Sequence, residues 1–412
     1  MRIAIFTETY LPYINGVVTH IKILRDGLVA LGHEVLIVTA DTTTRHHYLK
    51  DGVLYCPAKR IKLLYGYGLA SPYSHRRTAY VREFNPDIIH VHQEFGVGVS
   101  GFHVAKRLHK PLVYTLHTMY DDYIYYVALR PFAPLIKKIS HLYFRELSRR
   151  ADEITGPSKK VEEYLNSIHV RKLVNVVPNS VETDTFAPER IDPAKTAALR
   201  AKLGIAPEKT VGIFVGRLGK EKSVDLLLDY IKETVTPDDN LEFVIIGDGP
   251  CYDELREQAK ALGIADIVHF TGKIAHEETF DYYAMSDFYI TASLSDTMSI
   301  SMLEGMSTGL PTLVRADPLN AGQVVDGENG YSFESAEQMH ALIKKLETMP
   351  DEELAALKHG ARAFVKSLGA TNLANRLLEV YEKALKRGSR VPVRRRAAAQ
   401  PQEHGGEQTP KE

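Results

Sequence analysis

Short runs rich in β-branched residues recur along this 412-residue chain, and most are followed by a stretch whose apolar residues fall at helical spacing. No other feature constrains the fold as tightly, because strand–helix repeats of this kind close as parallel sheets with helices across their faces. The runs form two sets. The first holds "RIAIFTE", "EVLIVTA", "DIIHVHQ", "LVYTLHT" and "EITGPS"; the second holds "TVGIFVGR", "EFVIIGDG", "IVHFTG", "FYITAS" and "PTLVRA". Between them, "VPNSVETDTFAPERIDP" carries three prolines among polar residues and reads as a link. A chain of this length exceeds the usual size of a single core, so two Rossmann-like domains are expected, over 1–180 and 181–370. A helix at 371–388 is expected to pack back on the first domain. Residues 389–412, "SRVPVRRRAAAQPQEHGGEQTPKE", lack apolar periodicity and read as a disordered tail.

Composition narrows the function. With 51 Lys and Arg against 52 Asp and Glu, the net charge of −1 excludes a globally basic nucleic-acid binder, and no nucleic-acid partner is expected. The two cysteines, Cys56 and Cys251, have no metal-ligand spacing around them and suit a reducing cytosol. The apolar run in "MRIAIFTETY" is too short for a signal peptide, and no window reaches the length of a spanning helix. The expected location is cytoplasmic, with the option of lying on a membrane surface.

The second half carries the sharper motifs. In "VGRLGKEKSVDLLLDYI", Arg217 follows a strand and Lys222 opens a helix, and strand ends of this kind line the crevice of an open α/β sheet. Arg grips phosphate oxygens in a fork and Lys acts as a point charge, although basic loop residues are more often merely solvated. In "FYITASLSDTMSISMLEGMSTGLPTLV" a strand, a loop and a helix follow one another. Helix N–H groups around Met298, Ser299 and Ile300 would face the crevice and suit a phosphate. Asp296 could accept from hydroxyls of a bound group, and Glu304 from a ribose diol. As isolated acids they could equally be a helix N-terminal partner and a surface residue.

Taken together, "VGRLGKEKSVDLLL", the Asp-x7-Glu spacing of Asp296 and Glu304, and "EGMSTGLPTLV" resemble the retaining glycosyltransferases of family 4. "FTETYLPYINGVVTHI", "LGHEVLIVTA" and "PNSVETDTF" extend the resemblance over nearly all of the chain except the tail. The resemblance implies the GT-B fold: two facing Rossmann-like domains with parallel sheets and an interdomain cleft. It implies that Arg217 and Lys222 hold the diphosphate of a nucleotide-sugar, Glu304 the ribose, and Asp296 a hydroxyl of the transferred sugar. Asn15 and Gly16 would bring backbone N–H groups close to the donor, and His117 would contact the sugar and the reacting centre. The donor is then a substrate, with no cofactor and no metal; no Asp-x-Asp signature appears. The chain departs from the family pattern at Asp296, where Glu is usual, at Ser299, where Gly is frequent, and at Ser180, where "PNG" is common.

For the acceptor, "YTLHTMYDDYIYYVALRPF" and "VHQEFGVG" resemble the corresponding stretches of bacterial diacylglycerol glucosyltransferases, which implies UDP-glucose as donor and a lipid acceptor. Independently, "PLIKKISHLYFRELSRR" places Leu135, Ile139, Leu142 and Leu147 near one helical face while Lys137, Lys138, Arg145, Arg149 and Arg150 decorate the others. Such a helix can lie on anionic lipid, or its apolar stripe can pack on the sheet with the charges solvated. Three readings follow: a lipid glycosyltransferase, a family 4 transferase with a soluble or polysaccharide acceptor, and a non-catalytic nucleotide-sugar binding protein.

Overall fold

The computed structural model describes residues 1–13, 15–61, 68–119, 121, 132–236 and 239–388. The "MYDDYIYYVALRP" core of the acceptor resemblance and the tail at 389–412 fall largely outside the described residues.

The first half builds a nine-stranded sheet from β1 (Arg2–Phe6), β2 (Glu34–Asp41), β3 (Tyr48–Lys50), β4 (Val53–Arg60), β5 (Gly68–Ala70), β6 (Ile88–Val91), β7 (Leu112–Thr115), β8 (Glu153–Gly156) and β9 (Val174–Val176). Their order is β3-β4-β2-β1-β6-β7-β8-β9, with β5 on β4; only the β3 and β5 pairings are antiparallel. Its helices are α1 (Gly16–Ala30), α2 (His75–Phe84), α3 (Gly96–Leu108), α4 (Ala133–Arg150) and α5 (Lys159–Ser167). β1 and β6 are buried throughout or nearly so, as expected of central strands covered on both faces. The five strands expected here are present. β3, β4, β5 and β9 are additions: β4 holds Pro57 and two cations, which hid it, and the others are three residues long.

The second half begins with α6 (Pro193–Leu203) and builds a six-stranded, wholly parallel sheet. Its strands are β10 (Thr210–Val215), β11 (Leu241–Ile246), β12 (Val268–Gly272), β13 (Phe288–Thr291), β14 (Thr312–Arg315) and β15 (Gly330–Phe333), in the order β12-β11-β10-β13-β14-β15. Between and after them come α7 (Val224–Thr234), α8 (Tyr252–Ala261), α9 (His276–Ala284), α10 (Ile300–Thr308), α11 (Ala336–Glu347) and α12 (Asp351–Lys366). Only β15 escaped the sequence reading, because "GYSF" offers four residues with a glycine and a serine.

The last helix, α13 (Ala370–Gly388), returns to the first half and lies against α1. It buries Leu373, Ala374, Leu377, Val380, Tyr381 and Ala384 in the same cluster as Ile21, Leu24 and Leu28 of α1. The crossing is tight: a Cβ on Gly27 would stand 2.3 Å from the Ala370 carbonyl oxygen.

Along its parallel strands each sheet reverses its order once, between β1 and β6 in the first and between β10 and β13 in the second. At such a switch point adjacent loops diverge to opposite faces and leave a crevice at the strands' carboxyl ends, where ligands bind in open α/β sheets. The loops that carry Arg217, Lys222 and Asp296 leave the second switch point; the Thr7–Asn15 loop and His92 leave the first.

Candidate active site

After β10 the chain turns through Gly216 to a short 3-10 turn at Lys220–Lys222. Arg217 there forms an ion pair with Glu221 at 2.5 Å, and the Glu221 side chain is almost completely buried. Lys222 Nζ lies 2.5 Å from Asp296 Oδ1, with both side chains largely covered. Burial alone would push the Asp296 carboxyl up. The Lys222 ammonium and its hydrogen bond, a hydrogen bond from Ser293 and the charge of Lys160 outweigh that, and hold it below the usual carboxylate range. Ser293 Oγ also reaches the Glu221 carbonyl at 3.3 Å. Arg217, Glu221, Ser293, Asp296 and Lys222 thus form one continuous group, in which each cation already has a carboxylate partner.

The Asp296 loop is pinned from outside by side chains the sequence reading missed. Asn320 Nδ2 donates to the Asp296 carbonyl and Gln323 Nε2 to the Thr297 carbonyl, each at 2.7 Å. A cavity of about 450 Å³ lies between this loop and the segment after β14, lined by Asp296, Ser299, Met302, Asn320 and Gln323. Arg217 and Lys222 are not part of that lining. Lys222 nonetheless reaches the edge of this cavity through its ion pair with Asp296.

Ser299 caps α10: its Oγ accepts from the Met302 amide at 3.3 Å, which satisfies one of the N–H groups a helix start leaves over. Ile300 is the first helical residue and Met298 is buried, its carbonyl accepting from Asn179 Nδ2 at 2.9 Å. Glu304 is buried rather than superficial. Its oxygens accept from His276 Nε2 at 2.8 Å and from the Tyr283 hydroxyl at 3.1 Å. The Glu304 hydrogen bond lifts the His276 pKa against the opposing effect of burial. His276, at the start of α9, carries no motif of its own; only the tertiary contact reveals it.

From the first half, Asn15 caps α1, its Oδ1 accepting from the Val18 amide at 3.0 Å. Gly16 faces the other half: a Cβ there would stand 3.3 Å from Ile300 Cγ1, so the missing side chain lets the starts of α1 and α10 approach each other. His117, two residues beyond β7, points its Nε2 at His92 Nδ1, 3.0 Å away. Its carbonyl receives a long contact of 3.5 Å from Thr297 Oγ1, so His117 and the Asp296 loop meet across the cleft.

Behind His117 stands a buried histidine group. His92 Nε2 lies 3.2 Å from His90 Nδ1, and the His20 ring packs edge-on against His117 with centroids 5.0 Å apart. Burial pushes the pKa of all four imidazoles down, His20 to about 4, and the neighbouring rings push His90, His92 and His117 further in the same direction. Both His20 nitrogens are buried without a well-formed hydrogen bond among the described residues, although the Asn179 side chain is near enough to oppose the effect of burial. Ligand nitrogens of His20, His92 and His117 lie within 4.8 Å of one another, a set that could close on a divalent ion at the expense of the His92–His117 hydrogen bond.

The halves are joined around this site by groups the sequence reading did not single out. Lys160, from the start of α5, is buried and pairs with Asp317 beyond β14 while donating to the Leu294 carbonyl. Lys22 of α1 pairs with Glu182.

On α4, Leu135, Ile139 and Leu142 are 57%, 56% and 49% exposed, and Phe132 just before them is 55% exposed, so the apolar stripe is not packed on the sheet. Leu147 departs from the expected face: with Phe144 it anchors the helix in the first core. Lys138, Arg149 and Arg150 are exposed and Arg145 half-buried. Lys137 pairs with Asp121 at 2.8 Å and Arg150 with Glu146 at 2.9 Å.

Two largely parallel sheets whose switch-point loops meet at one cleft, with cations and a capped helix start on one side and His117 backed by buried histidines on the other, have the arrangement of the GT-B fold. Residues 14–185 match the family described as Glycosyltransferase Family 4, and residues 195–364 the one described as Glycosyl transferases group 1. The alpha-monoglucosyldiacylglycerol synthase of Acholeplasma laidlawii is 31% identical, over 93% of this chain and 98% of the relative. That of Streptococcus pneumoniae is 29% identical, over 93% and 86%. A GDP-mannose-dependent alpha-mannosyltransferase of Corynebacterium glutamicum is 24% identical, over 95% and 91%. Among solved structures, Anabaena HepE in complex with UDP has a TM-score of 0.67 at 17% identity, over 93% of this chain and 100% of that one. The chain belongs to the family 4 glycosyltransferases.

Proposed function

We propose that this glycosyltransferase moves glucose from UDP-glucose to diacylglycerol at the cytoplasmic face of the membrane, with retention at the anomeric carbon and without a metal. The observation that carries the acceptor assignment is the exposed apolar stripe of Leu135, Ile139 and Leu142 on α4, edged by Lys138 and Arg149. A buried stripe would have packed on the sheet; an exposed one beside cations suits an anionic bilayer surface. The likeness to two monoglucosyldiacylglycerol synthases supports the same acceptor and the glucosyl unit. No helix among the described residues is long and apolar enough to cross a membrane, so α4 would hold the chain at the interface.

In this reading the diphosphate displaces the carboxylates from Arg217 and Lys222 and takes their charge together with the N–H groups at the start of α10. Glu304 holds the ribose diol and Asp296, once released by Lys222, a hydroxyl of the glucose. The bond from the anomeric carbon to the diphosphate oxygen breaks as the acceptor hydroxyl attacks the same face, and the hydroxyl proton passes to the departing diphosphate. Preorganised cations and amides stabilise the charge that develops on the leaving group, the main contribution such a site makes. His117, with Nε2 tied to His92, offers Nδ1 to the reacting sugar.

The test is to incubate the full chain with UDP-glucose, UDP-galactose or GDP-mannose and vesicles containing diacylglycerol, and to identify products by mass spectrometry. Monoglucosyldiacylglycerol from UDP-glucose alone is the expected result. Transfer only to a soluble sugar would replace the lipid reading, and binding of UDP-glucose without hydrolysis or transfer would make the protein a nucleotide-sugar binder.

A further inference from the structure

His117 is the end of a buried chain of hydrogen bonds that starts on the last helix. Tyr381 of α13 is completely buried, and its hydroxyl lies 2.8 Å from His90 Nδ1. His90 Nε2 lies 2.7 Å from Thr115 Oγ1, which in turn contacts Thr155 Oγ1. His90 Nδ1 also faces His92 Nε2 at 3.2 Å, and His92 Nδ1 faces His117 Nε2 at 3.0 Å. Each neutral imidazole carries one N–H and one bare nitrogen, so fixing any ring fixes the others.

Two assignments are self-consistent. In the first, Tyr381 donates to His90 Nδ1, which also accepts from His92 Nε2–H. His92 Nδ1 then accepts from His117 Nε2–H, and His117 Nδ1 is left bare. In the second every arrow reverses: one His90 N–H is split between the Tyr381 oxygen and His92, the phenol proton is buried without an acceptor, and His117 carries its proton on Nδ1. Both assignments share one group on His90 Nδ1, a lone pair in the first and an N–H in the second, but only the second leaves a buried O–H unpaired, so the first is preferred. The threonine hydroxyls rotate to serve either direction.

We propose that Tyr381 is a positioning residue which, through His90 and His92, holds His117 in the tautomer with Nε2 protonated and Nδ1 bare, so that His117 accepts a hydrogen bond in the cleft. The consequence for transfer rests on His117 acting on the sugar or acceptor, as proposed above; the tautomer assignment does not. Tyr381 is 264 residues from His117 in sequence and lies on the helix that crosses back after the second half, so docking of α13 sets the hydrogen-bonding character of a cleft residue.

The test is Tyr381→Phe, which removes only the hydroxyl. In the full chain with 15N-labelled histidine, long-range proton–nitrogen spectra report which ring nitrogen carries the proton, with His117 assigned by the loss of its signals in His117→Asn. The wild type should show His117 with a protonated Nε2, and Tyr381→Phe should move it toward a mixture. At unchanged KM for the donor, kcat should fall by roughly 3- to 10-fold, the scale of one hydrogen bond. His92→Phe, which cuts the chain beside His117, should abolish the preference as well and stands in if Tyr381→Phe melts at a much lower temperature. A wild-type His117 protonated on Nδ1, a preference that survives in a folded Tyr381→Phe, or one that survives His92→Phe, overturns the proposal. A shifted tautomer with unchanged kcat would uphold the relay and reject the role of His117 in transfer.

Discussion

Two carboxylates show how far one residue's environment decides its part. Asp296 and Lys222 neutralise each other at 2.5 Å, so a diphosphate reaching Lys222 must compete with Asp296. Asp296→Asn removes the competitor along with the sugar contact. UDP should therefore bind at least as tightly by calorimetry while transfer falls by about 10²-fold, the usual scale for losing one aimed polar group. Parallel losses of UDP affinity and of transfer would mean that the ion pair organises the site instead of guarding it. Glu8, after β1, is the opposite case. Burial raises its pKa to about 7 despite a hydrogen bond from the Gly98 amide at 2.9 Å. Because the folded chain holds this proton more tightly than the unfolded chain does, the associated stability is present below the ordinary pKa of 4.5 and is lost as pH rises through 7. Glu8→Gln should thus gain thermal stability over the wild type on going from pH 5 to pH 8, by an amount on the order of 3 kcal/mol. A stability difference between the two proteins that is the same at both pH values would refute the assignment. Neither behaviour was legible in the sequence, since pairing and desolvation depend on what the fold places within a few ångströms.

At the level of elements, α4 separates what periodicity can say from what it cannot. Spacing alone put Leu135, Ile139, Leu142 and Leu147 on one side of a basic helix, and left open whether that side met the sheet or a bilayer. The structure divides them: Leu147 is in the core and the other three face outward. Because those three are already in water, Leu135→Ser, Ile139→Ser and Leu142→Ser together should leave the melting temperature nearly unchanged while reducing sedimentation with anionic vesicles by more than about tenfold. Lys138→Ser with Arg149→Ser should weaken the same binding by about 1 kcal/mol per charge, with the difference vanishing at high salt. Unaltered vesicle binding in the apolar triple variant would leave α4 without a membrane role. The long strands and capped helices were readable because local pattern dominates them. The three-residue β3, β5 and β9 exist only as additions to a sheet formed by others, so their own residues announce little.

For the whole molecule, the decisive contacts are those that join the halves. Lys160 and Asp317 form a buried pair across the cleft, beside Asn179 on the Met298 carbonyl and the close approach of Gly16 to Ile300. Removing one partner of such a pair strands the other charge, a cost of about 3–5 kcal/mol that the protein can escape by opening and letting water in. Lys160→Met should therefore enlarge the radius of gyration measured by small-angle X-ray scattering without donor and raise KM for the donor, with either half's own fold intact. An unchanged radius of gyration and an unchanged KM would show that Lys160 does not hold the halves together. By itself the sequence determined the parallel sheets, the two-part organisation, the family and the motif residues, because each is written in neighbouring positions that share one strand, turn or helix face. Only the tertiary structure decided that Asp296 is held by Lys222, that Glu304 answers to His276 and Tyr283, and that His117 is backed by histidines and a distant tyrosine. Those are meetings between residues tens to hundreds of positions apart, whose energies depend on distance and exclusion of water, and no local pattern encodes either.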